Sequence, residues 1–376
     1  MIIPNQKHLF TIPDDVSFIN CAYMSPLLKK VNEAGVAAIN KRNSPWEYKI
    51  KDDWFGPAET VRSLFAEIIQ SSKENIALIP SVSYGIATAA NNILLTPQQK
   101  ILLLDQQYPS NVYSWRALSD KTGAEIITIK KEPGQTWTDA IITNIDSNTG
   151  LVAIPNCHWT DGSFIDLEKV SVETKKVNSR LVIDASQSLG AYPLDINKIK
   201  PDFLVTVGYK WLLGSYGLGY LYADDKYCQS GTPIEFSWLN KLGSEDFSKL
   251  IDYEDDYKPG ARRFDMGEFS AFTNLQMAIA ALTQIKDWGV ENIQETISLL
   301  TNEIELRAKA RGFETPERES RMGHIIGIRF PNKDVGELAK KLAENKITIS
   351  IRGNSMRVAP HLYNDEKDID RLFEFL

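Results

Sequence analysis

Residues 180 to 222, RLVIDASQSLGAYPLDINKIKPDFLVTVGYKWLLGSYGLGYLY, decide the fold. The stretch holds two apolar runs, LVIDA ending at Asp184 and FLVTVGYK ending at Lys210. Near-continuous Val/Ile/Leu runs of this length mark strands buried on both faces, as in a parallel sheet. In an open α/β sheet, ligands lie in the crevice outside the carboxyl ends of the strands. Asp184 and Lys210, 26 positions apart (210 − 184), are therefore placed to face one crevice. An amine and a carboxylate there suggest pyridoxal phosphate (PLP), which needs an amine for a Schiff base and an acid to keep its ring nitrogen protonated.

The same punctuation extends on both sides of this stretch. NIALIP, KILLLDQ, AEIITIK and GLVAIPN read as strands upstream, and LGYLYA follows Lys210, making seven in all. Helical patterns separate most of them: SYGIATAANNILL, NVYSWRALSDKTG closed by Gly123, TDAIITNID and FIDLEKVSVETKKVN. Alternating strand and helix predict an α/β domain with a seven-stranded, mainly parallel sheet flanked by helices. Before it lie an extended VSFINCAYMSP, a helix beginning near Pro26, a Trp-rich loop SPWEYKIKDDWFG and a helix AETVRSLFAEIIQ.

Near Pro259 the alternation ends. A long helical region from about Thr273 to Ala310 leads into HIIGIRF, VGELAKKLAENK, ITISIRG, MRVAP and DEKDIDRLFEFL, a strand-helix-strand-strand-helix pattern. The expected division is a large domain over 15–260 and a smaller α+β domain over 261–376, with residues 1–14 packed on the latter.

Composition narrows the class. A chain of 376 residues is long for one ordinary core. The net charge of −7 comes from 42 basic and 49 acidic residues and gives no electrostatic footprint for nucleic acid. MIIPNQKHLFTIPDD lacks the basic and apolar regions of a signal peptide, and no run is long enough to span a membrane. Three scattered cysteines (Cys21, Cys157, Cys228) suggest neither a disulfide framework nor a zinc site, and the four histidines do not cluster as metal ligands. A cytoplasmic enzyme without metal, nucleic acid or membrane partners is expected.

The remaining candidates stand at strand ends or helix starts. Ser81-Val82-Ser83-Tyr84-Gly85 opens a helix, where free N–H groups make either a phosphate site or an ordinary Ser cap. Tyr209 offers a hydroxyl to the same phosphate. Gln187 is placed to donate to a ring oxygen or to cap a turn. Tyr108 follows KILLLDQQ and can stack on a flat ring or fill a core. Arg357 in SMRVAPHLY can hold a carboxylate bidentately or bridge two domains. His158, after GLVAIPN, lines the site or is structural. GSYGLG lacks the strand-turn-helix context of a dinucleotide fingerprint, which argues against a nicotinamide-dependent oxidoreductase.

In this order the pieces FINCAYMSP, SVSYG, YPSNVYSW, HWTDG, VIDASQSLGAYPLD, VGYKWLLGSYGLGYLY, RRFDMGEFS and MRVAPHLYNDEKDID resemble the class V aminotransferases among fold-type I PLP enzymes. The likeness is greatest to the branch holding kynureninase, isopenicillin N epimerase-like proteins and cysteine or selenocysteine lyases. It runs through nearly the whole chain. The resemblance implies PLP on Lys210, Asp184 at the ring nitrogen and Gln187 near the ring hydroxyl. Ser83, Tyr84 and Tyr209 would hold the phosphate, Tyr108 would stack on the ring, and Thr160 would line the cofactor face. Arg357, Tyr23 and His158 would meet the substrate. The segment with Gly267 and Glu268 resembles one that reaches a neighbouring subunit's phosphate, implying a homodimer with shared sites.

The chain departs from the desulfurases of this family, which carry a catalytic Cys in a C-terminal loop. Residues 347 to 363 contain none, and the last cysteine is Cys228. The expected function is PLP-dependent Cα chemistry on an α-amino acid, as a class V aminotransferase or alternatively as a lyase or epimerase. Desulfuration is disfavoured. A non-catalytic PLP-binding module is opposed by the substrate arginine and by the lack of any DNA-binding region. The stretch from Trp46 to Phe55 and the insertion from Ser230 to Tyr257 are the candidates for lining the side-chain pocket.

Overall fold

The computed structural model describes residues 1–330 and 335–376. A two-residue strand, β1 (Ser17–Phe18), precedes the main sheet. That sheet is built from β2 (Ile76–Ile79), β3 (Lys100–Leu104), β4 (Glu125–Ile129), β5 (Thr149–Pro155), β6 (Arg180–Asp184), β7 (Phe203–Val207) and β8 (Gly219–Ala223). Its order is β2-β8-β7-β6-β5-β3-β4. Only β8 runs antiparallel, against both β2 and β7. All seven apolar runs therefore form one α/β sheet, mainly parallel.

Alternate side chains along each strand feed two cores, as period-two geometry requires. Ile76, Leu78, Leu102 and Leu104 face one side. Helices α2 (Gly56–Ile69), α5 (Trp137–Asn144), α6 (Leu167–Lys176) and α9 (Phe272–Trp288) cover it, following α1 (Lys29–Lys41) in the chain. Ala77, Ile79, Ile101 and Leu103 face the other side, beneath α3 (Val82–Asn92) and α4 (Tyr113–Thr122). The short α7 (Ile196–Ile199) and α8 (Asp225–Ser230) close the β6–β7 connection and the end of β8.

Local chemistry sets the boundaries. The Ser81 hydroxyl accepts from the Tyr84 N–H at 3.2 Å and starts α3. Asp166 does the same for Lys169 at 3.1 Å in α6. Gly123 ends α4 with φ 77°, a left-handed value that Gly adopts at little cost. The helical region after Thr273 is two helices, because Gly289 (φ 77°, ψ 127°) breaks it before α10 (Val290–Ala310).

The Trp-rich stretch differs from the expected loop. Ile50–Phe55 winds into a π-helical turn leading into α2. Edge-to-face packing of Trp54 on Phe247 (5.3 Å) and Phe272 (5.2 Å) holds this wider turn.

The C-terminal part adds β9 (Ile326–Arg329), α11 (Val335–Glu344), β10 (Ile347–Thr348), β11 (Ser350–Arg352), β12 (Ser355–Val358) and α12 (Glu366–Phe373). Strands β11, β12 and β9 form a small antiparallel sheet, and β10 pairs with β1. The chain start lies against this region: the Gln6 N–H donates to the Leu362 carbonyl at 2.8 Å, and Phe10 meets Tyr363 edge-on at 4.9 Å. Among the described residues, no helix is long and apolar enough to cross a membrane.

Candidate active site

Strands β6 and β7 are parallel neighbours, with Asp184 opposite Val205. Their carboxyl ends therefore emerge together. Between them and α3 opens a cavity whose walls include Lys210, Asp184, Gln187, Tyr108, Tyr209 and Cys157. The loops carrying Asp184 and Lys210 interlock: a Cβ at Gly190 (φ 102°) would lie 2.2 Å from the Trp211 carbonyl oxygen.

Lys210 is 8% exposed. Burial drives its pKa down to about 8, Arg357 and Arg352 push the same way, and the Asp184 charge opposes them. Such an amine is a nucleophile near neutral pH. Burial raises the Asp184 pKa, while hydrogen bonds from the Ser186 hydroxyl (2.5 Å) and N–H (3.0 Å) lower it. Both bonds fall on Oδ1, leaving Oδ2 with no hydrogen bond among the described residues.

Gln187 is held from three directions. Its Nε2 donates to the Ala22 carbonyl at 3.0 Å, and its Oε1 accepts from Trp211 Nε1 at 3.1 Å. Its backbone carbonyl accepts from His324 Nε2 at 2.6 Å, so the proton of that ring is on Nε2. Burial pulls the His324 pKa down to about 4 and keeps the ring neutral.

The first turn of α3 borders the cavity through Val82, and the exposed Ser83 hydroxyl lies 2.9 Å from that of Ser81. Tyr209 packs on Tyr216 at 4.7 Å, and burial raises its pKa to about 12. Tyr108 leans edge-on against Trp159 at 5.5 Å. Arg357 is 1% exposed and donates Nη1 to the Trp159 carbonyl at 2.8 Å, while its Nε and Nη2 have no partner.

Arg357 and the other expected site residues (Ser83, Tyr84, Tyr23, His158, Thr160 and Gly267) are not part of the cavity wall. The Tyr84 hydroxyl donates to Glu235 at 3.2 Å, outside the cavity. His158 and Thr160 bond each other at 2.8 Å, and the His158 ring stacks on Trp137 at 5.1 Å; neither is in the cavity wall. Tyr23 is 57% exposed, near enough to Tyr209 and Arg352 for its phenol to act on both. Gly267 lines a separate cleft with Arg42, Trp54 and Trp238. Neither the stretch from Trp46 to Phe55 nor the insertion from Ser230 to Tyr257 gives the cavity a residue, because their aromatic side chains pack on one another and around that second cleft.

Gln107, Asn111, Cys157, Trp159 and Ser186 also line the cavity, and no motif in the sequence marks them as site residues. The signal available for Ser186 was its place two residues after Asp184. Asn111 is fully buried, and its Nδ2 donor has no partner.

Comparison with known proteins agrees with this architecture. A family model, Aminotransferase class-V, matches residues 48–372. The chain belongs to that family, whose cofactor is PLP. It is 26% identical to an uncharacterized aminotransferase, YcbU, of Bacillus subtilis, over 83% of this chain and 80% of the relative. At lower identity it is similar to an isopenicillin N epimerase of Streptomyces clavuligerus (21%; 84% of this chain, 82% of the relative) and to a probable cysteine desulfurase of Methanothermobacter thermautotrophicus (22%; 85% and 82%). A cysteine desulfurase from Thermococcus onnurineus shares the fold with a TM-score of 0.86 at 18% identity, covering 100% of this chain and 98% of that one. A C-DES mutant with glycine covalently linked to its PLP cofactor does so with a TM-score of 0.88 at 16% identity, covering 98% of each chain.

The residues present fit PLP. The cavity offers a low-pKa amine, a buried carboxylate with one free oxygen, an unpartnered amide donor at Asn111 and a helix N-terminus at its edge.

Proposed function

We propose that this class V enzyme acts on an α-amino acid, with Lys210 as the residue that holds the cofactor and then moves the Cα proton. The observation that carries the reading is the buried, low-pKa Lys210 sharing one cavity with Asp184. When bound, PLP supplies an aldehyde that takes up amines and a ring that accepts the electron pair left at Cα. Asp184 would keep a proton on the ring nitrogen through a charge-assisted hydrogen bond. The amide of Gln187, fixed by Trp211, would serve the ring hydroxyl. The α3 N-terminus, Ser83 and Tyr209 would hold the phosphate, and Tyr108 would lie against the ring. Arg357, with two unpartnered nitrogens, orients the substrate carboxylate. Lys210 then acts as general base at Cα. Returning that proton at a different atom gives amino transfer, the reading preferred here. Returning it to the opposite face of Cα gives epimerisation, and loss of a side-chain group gives a lyase.

Desulfuration by a cysteine persulfide is disfavoured. The β11–β12 hairpin turns at Gly353 and Asn354 without a cysteine. The thiol in the cavity wall, Cys157, is 1% exposed, and burial pushes its pKa up, away from thiolate. A homodimer is part of the proposal, with Gly267 on the cleft where the neighbouring subunit would dock.

The test is Lys210→Ala. Borohydride should fix PLP covalently to the wild-type chain and not to the variant; covalent retention by the variant would overturn the assignment. Product assays on an amino-acid panel, scoring keto acid, alanine and racemate separately, distinguish the three outcomes.

A further inference from the structure

A second guanidinium stands beside the first. β11 and β12 pair with Ser350 opposite Arg357 and Arg352 opposite Ser355. Side chains two apart on a strand share a face, so Ser350 and Arg352 face the same way as Arg357. The two arginines are a diagonal cross-strand pair, within reach for long side chains. The Arg352 guanidinium lies 5.4 Å above the Trp159 ring, and Trp159 is a wall of the cavity. The Trp159 indole is itself fixed, donating to the Gln106 carbonyl at 2.7 Å. The Arg352 charge acts on both Arg357 and Lys210, and the Tyr108 and Tyr23 phenols act on it.

Like charges on one face of a hairpin are unfavourable unless an anion offsets them. Among the described residues neither arginine forms an ion pair. Arg352 donates Nη1 to its neighbour's carbonyl at 2.7 Å, and its Nε is buried without a partner. Arg357 has two such nitrogens. One α-carboxylate occupies one fork of donors, so the second guanidinium is left without an anion. The hairpin is short, turning through Gly353 (φ 59°), and Arg352 reaches the cavity through its contact with the wall residue Trp159.

We infer that the substrate carries a second carboxylate on its side chain, taken by Arg352 while Arg357 takes the α-carboxylate. The substrate class is then the acidic amino acids of aspartate or glutamate type. This inference rests on the amino-acid reading proposed above and names the side chain that reading leaves open.

The experiment titrates the PLP-loaded enzyme with aspartate against asparagine and glutamate against glutamine, reading dissociation constants from the visible absorbance of the cofactor and, independently, from calorimetry. A charge-assisted pair is expected to favour each acid over its amide by about tenfold to a hundredfold. In Arg352→Gln that ratio should fall towards one, and Arg352→Lys should restore part of it. The visible band of each unliganded variant confirms a loaded site. Equal affinities for acid and amide in the wild type would overturn the inference while leaving the amino-acid reading intact. So would an Arg352→Gln variant that weakens both members of a pair alike, since Arg352 would then be reading the α-carboxylate. If no amino acid changes the spectrum of an enzyme that borohydride fixes at Lys210, the amino-acid reading fails, and this inference with it.

Discussion

Lys210 has an ordinary side chain in an unusual setting. Burial and two nearby guanidiniums remove the stabilisation its charge would find in water, and Asp184 restores only part of it. The consequence is measurable before any substrate is added. Attack on the PLP aldehyde needs the free amine, which exists above the amine's pKa. The rate at which apoprotein takes up PLP should therefore rise with pH through a midpoint near 8, instead of near the ordinary lysine value of about 10.4. Stopped-flow absorbance across pH 6 to 10 checks this, and a rate still climbing steeply at pH 10 would contradict it. Lys210 and Asp184 were readable in the sequence because charged residues at the ends of apolar runs stand out. Cys157 and Trp159 were not, since wall residues of apolar or aromatic type look like core. Arg352 was equally hidden: its meaning depends on a hairpin register that places it beside Arg357.

At the scale of elements, the edge of the main sheet is fastened by a buried ion pair. Arg62 of α2 and Asp265, both 1% exposed, form a two-pronged contact. Arg62 also donates to the Ile76 carbonyl at 2.7 Å, and Asp265 accepts from the Leu78 N–H at 2.8 Å. The pair thus ties α2, β2 and the segment before Gly267 together. Removing Asp265 leaves the Arg62 guanidinium with one carboxylate, Glu59 at 3.1 Å from Nε, so the loss should lie towards the lower end of the about 3 to 5 kcal/mol that breaking a buried pair costs. Asp265→Asn should lower the unfolding free energy by about 2 to 3 kcal/mol, read from urea denaturation; a loss under about 1 kcal/mol would show the pair to be unimportant. Nothing local in the sequence announces a contact between residues 203 positions apart. The strands were legible because burial on both faces imposes continuous apolar runs. The π-helical turn at Ile50–Phe55 was not, because only its aromatic partners at Phe247 and Phe272 account for it.

For the molecule as a whole, buried imidazoles weaken the fold in acid, His324 and His361 most of all. Burial lowers the pKa of His324 to about 4 and that of His361 to about 3, with His324 adding to the second effect. In the unfolded chain both titrate near 6.5. Below pH 6.5 the unfolded chain binds protons that the folded chain refuses, so stability falls as pH drops through that window. By pH 5 each histidine should have removed about 2 kcal/mol relative to pH 7. His361, packed among Trp211, Trp288 and Tyr363 with neither ring nitrogen hydrogen-bonded, is the cleaner probe. Urea midpoints at pH 7 and pH 5 for the wild type and His361→Phe give the test. The variant should show a visibly shallower decline, and an identical one would rule the imidazole out.

Strand β2 lies at the rim of the main sheet, and its single neighbour there is β8, with Ile79 opposite Gly219. On the ribosome the rim strand is made about 140 residues before the strand that will cover it. At ordinary translation speeds that interval is roughly 7 to 30 s. Throughout it the apolar segment IALI has an open backbone edge, the kind of surface on which nascent chains stick to one another. A holdase that shields residues 76–79 until Gly219 to Ala223 have emerged should therefore raise the yield of soluble chain, and co-expression with and without one gives the comparison.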